Sequence, residues 1–305
     1  MYDVMLDEAK LCLDELKVVE SSSSPPAPPV KEDSGYDYEY DSAEDEMDPV
    51  EEAKYHQQVR DSDGFDVDFC YHPFGGIMPC GCNDSDIPLA KLGLHCYNID
   101  NGTNLQFRSV EKVNAEAVSF VNYYITLEAV DPDNNNSPVA FQTCVWDSST
   151  KNKERLRLIT KQYMQDQASK CSPWLWDRYA VDEFYTCRMP DWLQDDALTG
   201  PNKLQFHEVK DSELQDNEWL NLYAEIALSS ERPSYMETDL PLEVKKVVVR
   251  TKEDLEPSMK LKSSNAIFYM TFKTHRGSEW KAIIRQTRDG IQGHMCLEVT
   301  CMLGK

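Results

Sequence analysis

The sequence predicts an α+β protein: an acidic N-terminal arm, then two modules that each place a helix before an antiparallel sheet. Three observations carry that expectation. Apolar residues alternate with polar ones in several segments of strand length, in both halves of the chain. Each set of strands follows a segment with helical apolar spacing. Ahead of both, residues 31–69 carry 15 acidic and 3 basic side chains, a run with too little apolar mass to offset its ordering entropy.

In chain order, residues 1–20 place Met5, Ala9, Cys12, Leu13 and Leu16 at amphipathic helical spacing. Residues 21–68 read as a disordered arm, opening on a serine run and Pro25-Pro26-Ala27-Pro28-Pro29. Within it, Asp61-Ser62-Asp63-Gly64 hints at a calcium loop, but Val59 stands where the first oxygen ligand belongs. The first module occupies residues 69–155. Its helix runs from Pro88 to Tyr97 with Leu89 and Leu92 on one stripe, and its strands cover Leu105–Val113, Tyr123–Ala129 and Val139–Trp146. Asp131–Asn136 is a turn by composition. Residues 156–204 form a connector: the charged stretch Lys151–Ser169 reads as helix, and Cys171–Pro201 is rich in tryptophan and proline. The second module, residues 205–305, repeats the pattern with a helix over 213–229 and strands at Val244–Arg250, Ala266–Phe272, Trp280–Arg285 and Met295–Met302.

Charge and composition narrow the function. A formal charge of −23 repels phosphate backbones, so no nucleic-acid partner is expected. No run approaches the roughly 20 apolar residues that a membrane span needs, so no membrane is expected either. Met1–Lys10 has neither the basic start nor the apolar run of a secretory leader, which predicts a cytoplasmic or nuclear protein with reduced cysteines.

The sequence carries no phosphate loop, dinucleotide fingerprint, zinc-protease helix or nucleophile elbow, and no enzyme is expected. His95 and Cys96 are adjacent on a helix, where neighbours point about 100° apart and make a poor nucleophile–base pair. His72, Cys80 and Cys82, with Cys70 or Cys96, have zinc-ligand chemistry, but Cys-x-Cys spacing is unusual for a structural site. No metal and no cofactor are expected.

Several segments are similar to a known family. Leu89-Ala90-Lys91-Leu92-Gly93-Leu94, with Asn98, follows the helix signature of plant cystatins. Phe107-Arg108-Ser109-Val110, Tyr123–Ala129 and Val145-Trp146 match that family's strands. The whole chain resembles a plant cystatin-related family, marked by Gly75–Cys80, Gly93–Asn98, Asn265–Tyr269 and Gly293–Val299. The resemblance implies a cystatin-like sheet wrapped on a helix. It also implies an interaction edge of three loops: Gly75 and Gly76; Glu116, Ala117, Val118, Ser119 and Phe120; and Ser149 with Thr150. Two of those loops depart from the pattern. Glu116 and Phe120 replace a glutamine and a glycine, and Ser149-Thr150 lacks the loop tryptophan. The implied function is therefore non-catalytic binding of a protein partner. The alternative is inhibition of a papain-like cysteine protease through an atypical first loop.

Overall fold

The computed structural model describes residues 48–69, 76–117, 121–148, 156–164, 176–232 and 236–304. The amphipathic segment 1–20, the start of the arm, Cys70 and His72 lie outside the described residues.

Ten strands form one sheet: β1 (Ile77–Cys80), β2 (Gln106–Ala117), β3 (Val121–Asp131), β4 (Ser137–Asp147), β5 (Leu156–Met164), β6 (Phe206–Glu208), β7 (Glu243–Arg250), β8 (Ala266–Lys273), β9 (Glu279–Thr287) and β10 (Met295–Leu303). Their order is β1-β2-β3-β4-β5-β10-β9-β8-β7-β6, and every pairing is antiparallel. Among the described residues the helices are few, and three are long: α1 (Pro49–Ser62), α2 (Ile87–Asn101) and α3 (Trp219–Glu231).

This corrects the expected fold class. The chain does not make a cystatin-like helix-on-sheet unit followed by a second one. It makes a mostly-β protein with one continuous sheet. The physical reason lies at the seam, where β5 pairs with β10 in the register Thr160↔Met295 to Leu156↔Val299. Two strands that would each have been an exposed edge bond to one another and leave no aggregation-prone edge between the halves. Lys151–Ser169 was expected to be helical, yet Leu156–Met164 is a strand. Leu158 is buried in the helix-side core and Ile159 is also fully buried; apolar groups on both faces suit a central strand.

The core crosses the seam as well. Leu92 and Cys96 of α2 share one apolar cluster with Leu158 of β5, Tyr223 and Ile226 of α3, Phe268 of β8 and Leu297 of β10. The other flank of α2, Ala90 and Leu94, packs on Ile125, Leu127 and Phe141. Lys91 and Glu225 link α2 to α3 at 2.9 Å. On the opposite side of the sheet, Tyr55 of α1 and the following Phe65 and Val67 pack with Ile77, Tyr124 and Cys144. Asp48 caps α1 by accepting from Val50 N at 2.8 Å. Tyr55 Oη accepts from Ile77 N at 2.8 Å and anchors the first strand. Val181, Tyr185 and Met189 of the connector cover Val248, Ile267, Tyr269 and Ile283.

Both outer edges are short and irregular. β1 has 4 residues and β6 has 3, and the neighbouring β2 and β7 have register shifts around Arg108, Glu111 and Lys245. Bulges, charges and short strands are how a sheet blunts its edges.

Helix and sheet approach closely at Gly93. A Cβ there would stand 2.1 Å from Thr143 Oγ1 and 2.5 Å from Thr143 Cβ, so α2 can lie on β4 only with glycine at this position. Gly93→Ala is expected to destabilise the protein by about 1–3 kcal/mol through overpacking, seen as a lower midpoint in urea unfolding; an unchanged midpoint would refute this contact.

Candidate functional site

The C-terminus of α2, the β9–β10 loop and the start of the described connector meet beside the seam. They border an open cleft of about 460 Å³, lined by Asp100, Ala180, Ser264, Arg288, Asp289 and Gln292 among others. Two nested hydrogen-bonded pairs fix its walls. Arg288 Nη2 donates to Asp100 Oδ1, and the two side chains are only 10% and 9% exposed. Arg288 Nε also donates to the His294 carbonyl at 3.1 Å, and its backbone N to Asn265 Oδ1 at 2.9 Å. The second Asp100 oxygen accepts from Gly293 N at 2.8 Å. Below this pair, Asp289 Oδ2 meets His294 Nδ1 at 2.8 Å and accepts from Asp177 N at 3.0 Å. Asp289 Oδ1 accepts from Ile291 N at 3.0 Å. Trp176 stacks on His294 with ring centroids 6.2 Å apart. The buried Arg288 and Asp100 charges are tolerated because each faces the other and has further hydrogen bonds.

Thr160 ties the cleft to the seam. Its hydroxyl donates to the Gly293 carbonyl at 2.8 Å and accepts from Met295 N at 2.9 Å. Two large apolar side chains next in sequence to cleft residues are exposed. Tyr179, the neighbour of Ala180, is 93% exposed, and Ile99, the neighbour of Asp100, is 42% exposed.

The nucleophile and base candidates are packed away. His95 stacks on Trp219 at 5.0 Å and meets Tyr223 edge-on at 5.7 Å. Burial, and secondarily the Arg288 charge, lower its pKa to about 4, so the ring is neutral at pH 7. Burial pushes Cys96 up to about 12, Cys296 to about 11 and Cys301 to about 12, which removes the thiolate that cysteine chemistry needs. Cys96 instead contacts Thr160 Oγ1 at 3.4 Å. Among the described residues, no three His, Cys, Asp or Glu side chains form a metal-holding group.

The loop residues marked in the sequence converge only in part. Gly76 (φ +108°) leads into β1, Ile77 pairs with Glu116, Ala117 pairs with Val121, and Val121 pairs with Asp147. These segments therefore share one end of the sheet. Glu116 turns back onto the sheet, where Oε2 accepts from Asn122 Nδ2 at 3.0 Å and from the Tyr124 hydroxyl at 3.2 Å. Gly75, Val118, Ser119, Phe120, Ser149 and Thr150 lie outside the described residues. Sequence reasoning missed Asp100, Arg288 and Asp289. The only local trace was Asp289-Gly290, which reads as a turn; the Asp100–Arg288 pair spans 188 positions.

His95 gives this region a pH signature. Its folded pKa lies below the unfolded value of about 6.5, so the unfolded chain binds the extra proton in between. Stability is expected to be full above pH 6.5 and to fall by a few kcal/mol as pH drops toward about 4. Denaturant titrations of wild type and His95→Gln should show the slope in that window shrinking in the variant; equal slopes would contradict the assignment.

Comparison with known proteins places the chain. The family model described as Protein MS5 matches residues 189–297. UPF0725 protein At2g20620 of Arabidopsis thaliana is 48% identical over 225 residues, covering 73% of this chain and 78% of that protein. UPF0725 protein At4g28920 of the same plant is 39% identical over 292 residues, covering 86% of this chain and 94% of that protein. The crystal structure of MS5 from Brassica napus covers 74% of this chain and 100% of its own, with a TM-score of 0.60 and 24% identity, a likeness of fold. No catalytic family is indicated by these matches. They overturn the cystatin assignment, and the protease-inhibitor reading falls with it. Leu89–Asn98, Tyr123–Ala129 and Val145-Trp146, which carried the resemblance, are pieces of α2, β3 and β4 in the ten-stranded sheet. The chain belongs to the MS5/UPF0725 family of plant proteins.

Proposed function

We propose that this protein is a non-catalytic protein-binding module whose partner docks in the seam cleft. The observation that carries this reading is a charged cleft held by hydrogen bonds, two of whose lining residues, Ala180 and Asp100, are next in sequence to the exposed apolar side chains Tyr179 and Ile99. Binding hot spots favour tyrosine, and they work best when surrounding polar groups are already fixed and pay little ordering cost on association. Arg288, Asp100 and Asp289 are held in that way by hydrogen bonds from several segments. The buried histidine and cysteines support a packing role for those residues rather than a reactive one.

Charge selects the kind of partner. The chain carries −23, and the cleft lining has two carboxylates for one guanidinium. A protein segment with an apolar side chain flanked by basic ones would be drawn in by the long-range field and anchored on Tyr179. The seven described cysteines are all thiols, which suits a cytoplasmic or nuclear setting. No helix among the described residues is long and apolar enough to cross a membrane.

The experiment is a peptide-display selection against the full chain. Enriched peptides are expected to pair lysine or arginine with an aromatic or aliphatic residue. Tyr179→Ala should weaken them at least tenfold, consistent with a hot spot of about 2 kcal/mol. Peptides without that pattern, or equal affinity for the variant, would sink the proposal.

A further inference from the structure

Among the described residues, two exposed thiols stand one residue apart, outside the cleft and the core. Cys80 is the last residue of β1, paired with Val113, and Cys82 follows after a single glycine. Both thiols are exposed, whereas Cys96, Cys144, Cys296 and Cys301 are buried. A Cβ built on Gly81 would meet nothing within 4 Å, so the residue between the two cysteines stands in open space. From these observations we propose that Cys80-Gly81-Cys82 is a reversible thiol–disulfide exchange site that reacts with small disulfides such as glutathione disulfide. The inference is independent of the binding cleft.

Chain geometry makes ring closure feasible and the product labile. Two residues separated by one other cannot have Cα atoms more than about 7 Å apart, and disulfides span about 4.4–6.8 Å. A bond across so small a ring is strained, and strained, exposed disulfides have more oxidising potentials and exchange readily. Such a bond is the transient kind found in reducing compartments.

The reaction balances as two exchanges. One cysteine, as its thiolate, attacks a sulfur of glutathione disulfide; that S–S bond breaks and one glutathione thiolate leaves, taking up a proton. The second cysteine, losing its proton, attacks the protein sulfur of the mixed disulfide and expels the second glutathione. The protein gives up two electrons and two protons, and one glutathione disulfide becomes two glutathione thiols.

The test uses the full chain in glutathione buffers of rising oxidised fraction, quenched by alkylation and read by peptide mass spectrometry. The expected result is joint loss of the two alkylatable thiols of Cys80 and Cys82, with a mass decrease of two hydrogens and full reversal by excess reduced glutathione. Cys82→Ser, shown folded by circular dichroism, should instead hold one glutathione on Cys80. Cys187→Ser, which removes another exposed thiol, should leave the response unchanged. Glutathione persisting on the wild-type pair without ring closure, a bond from either cysteine to a different one, or two unreacted thiols at the most oxidising ratio would each overturn the proposal.

Discussion

The pairing of β5 with β10 is the constraint on which the rest of this structure depends. Each half of the chain is a meander of five strands with one long helix inserted after its first strand. Unpaired, each meander would end in an edge of backbone donors and acceptors open to other chains. Their mutual bonding satisfies those groups and joins the two sheets into one. It also brings α2 and α3 side by side, so that one apolar cluster serves both halves.

The cleft is a consequence of that seam. β10 is preceded by the loop carrying Arg288 and Asp289, and pairing to β5 carries this loop to the C-terminus of α2. Once Arg288 is there, Asp100 must neutralise it, because an uncompensated charge at such burial is costly. The Asp100 carboxylate sits near the negative end of the α2 dipole, an unfavourable place that the adjacent guanidinium offsets. Asp289 and His294 form a second pair beneath, closed over by Trp176. The polar wall is thus held because the fold requires it, whereas Tyr179 and Ile99, next in sequence to Ala180 and Asp100, are exposed.

What could be read from the residues divides along physical lines. The alternation at Tyr123–Ala129 lies within β3, and the near-continuous apolar run Ala266–Phe272 lies within β8, which is covered on both faces. The stripe at Leu89 and Leu92 located α2 by its helical period. Leu156–Met164 was misread because it is charged at its start, and its identity as a strand comes from two neighbours distant in sequence. The helix at Pro49–Ser62 was hidden in acidic composition, although Asp48-Pro49 with Glu51 and Glu52 is a start signal that could have been used. Similarity over short segments misled most. Gly93 and the Tyr123–Ala129 alternation answer local demands, a close helix approach and a pleat, and say nothing of how the halves join. Of the site, only the packing roles of His95 and Cys96 were legible. The Asp100–Arg288 pair depends on tertiary assembly, which leaves no periodic trace.

Native-state hydrogen exchange across the seam tests the account most directly. If β5 and β10 are interior strands of one sheet, amides in Leu156–Thr160 and Met295–Val299 should exchange only with global unfolding, and both halves should lose protection in a single transition. Fast exchange in those two strands, with the halves unfolding separately, would show that the seam is not the structural bond described and would remove the basis of the cleft.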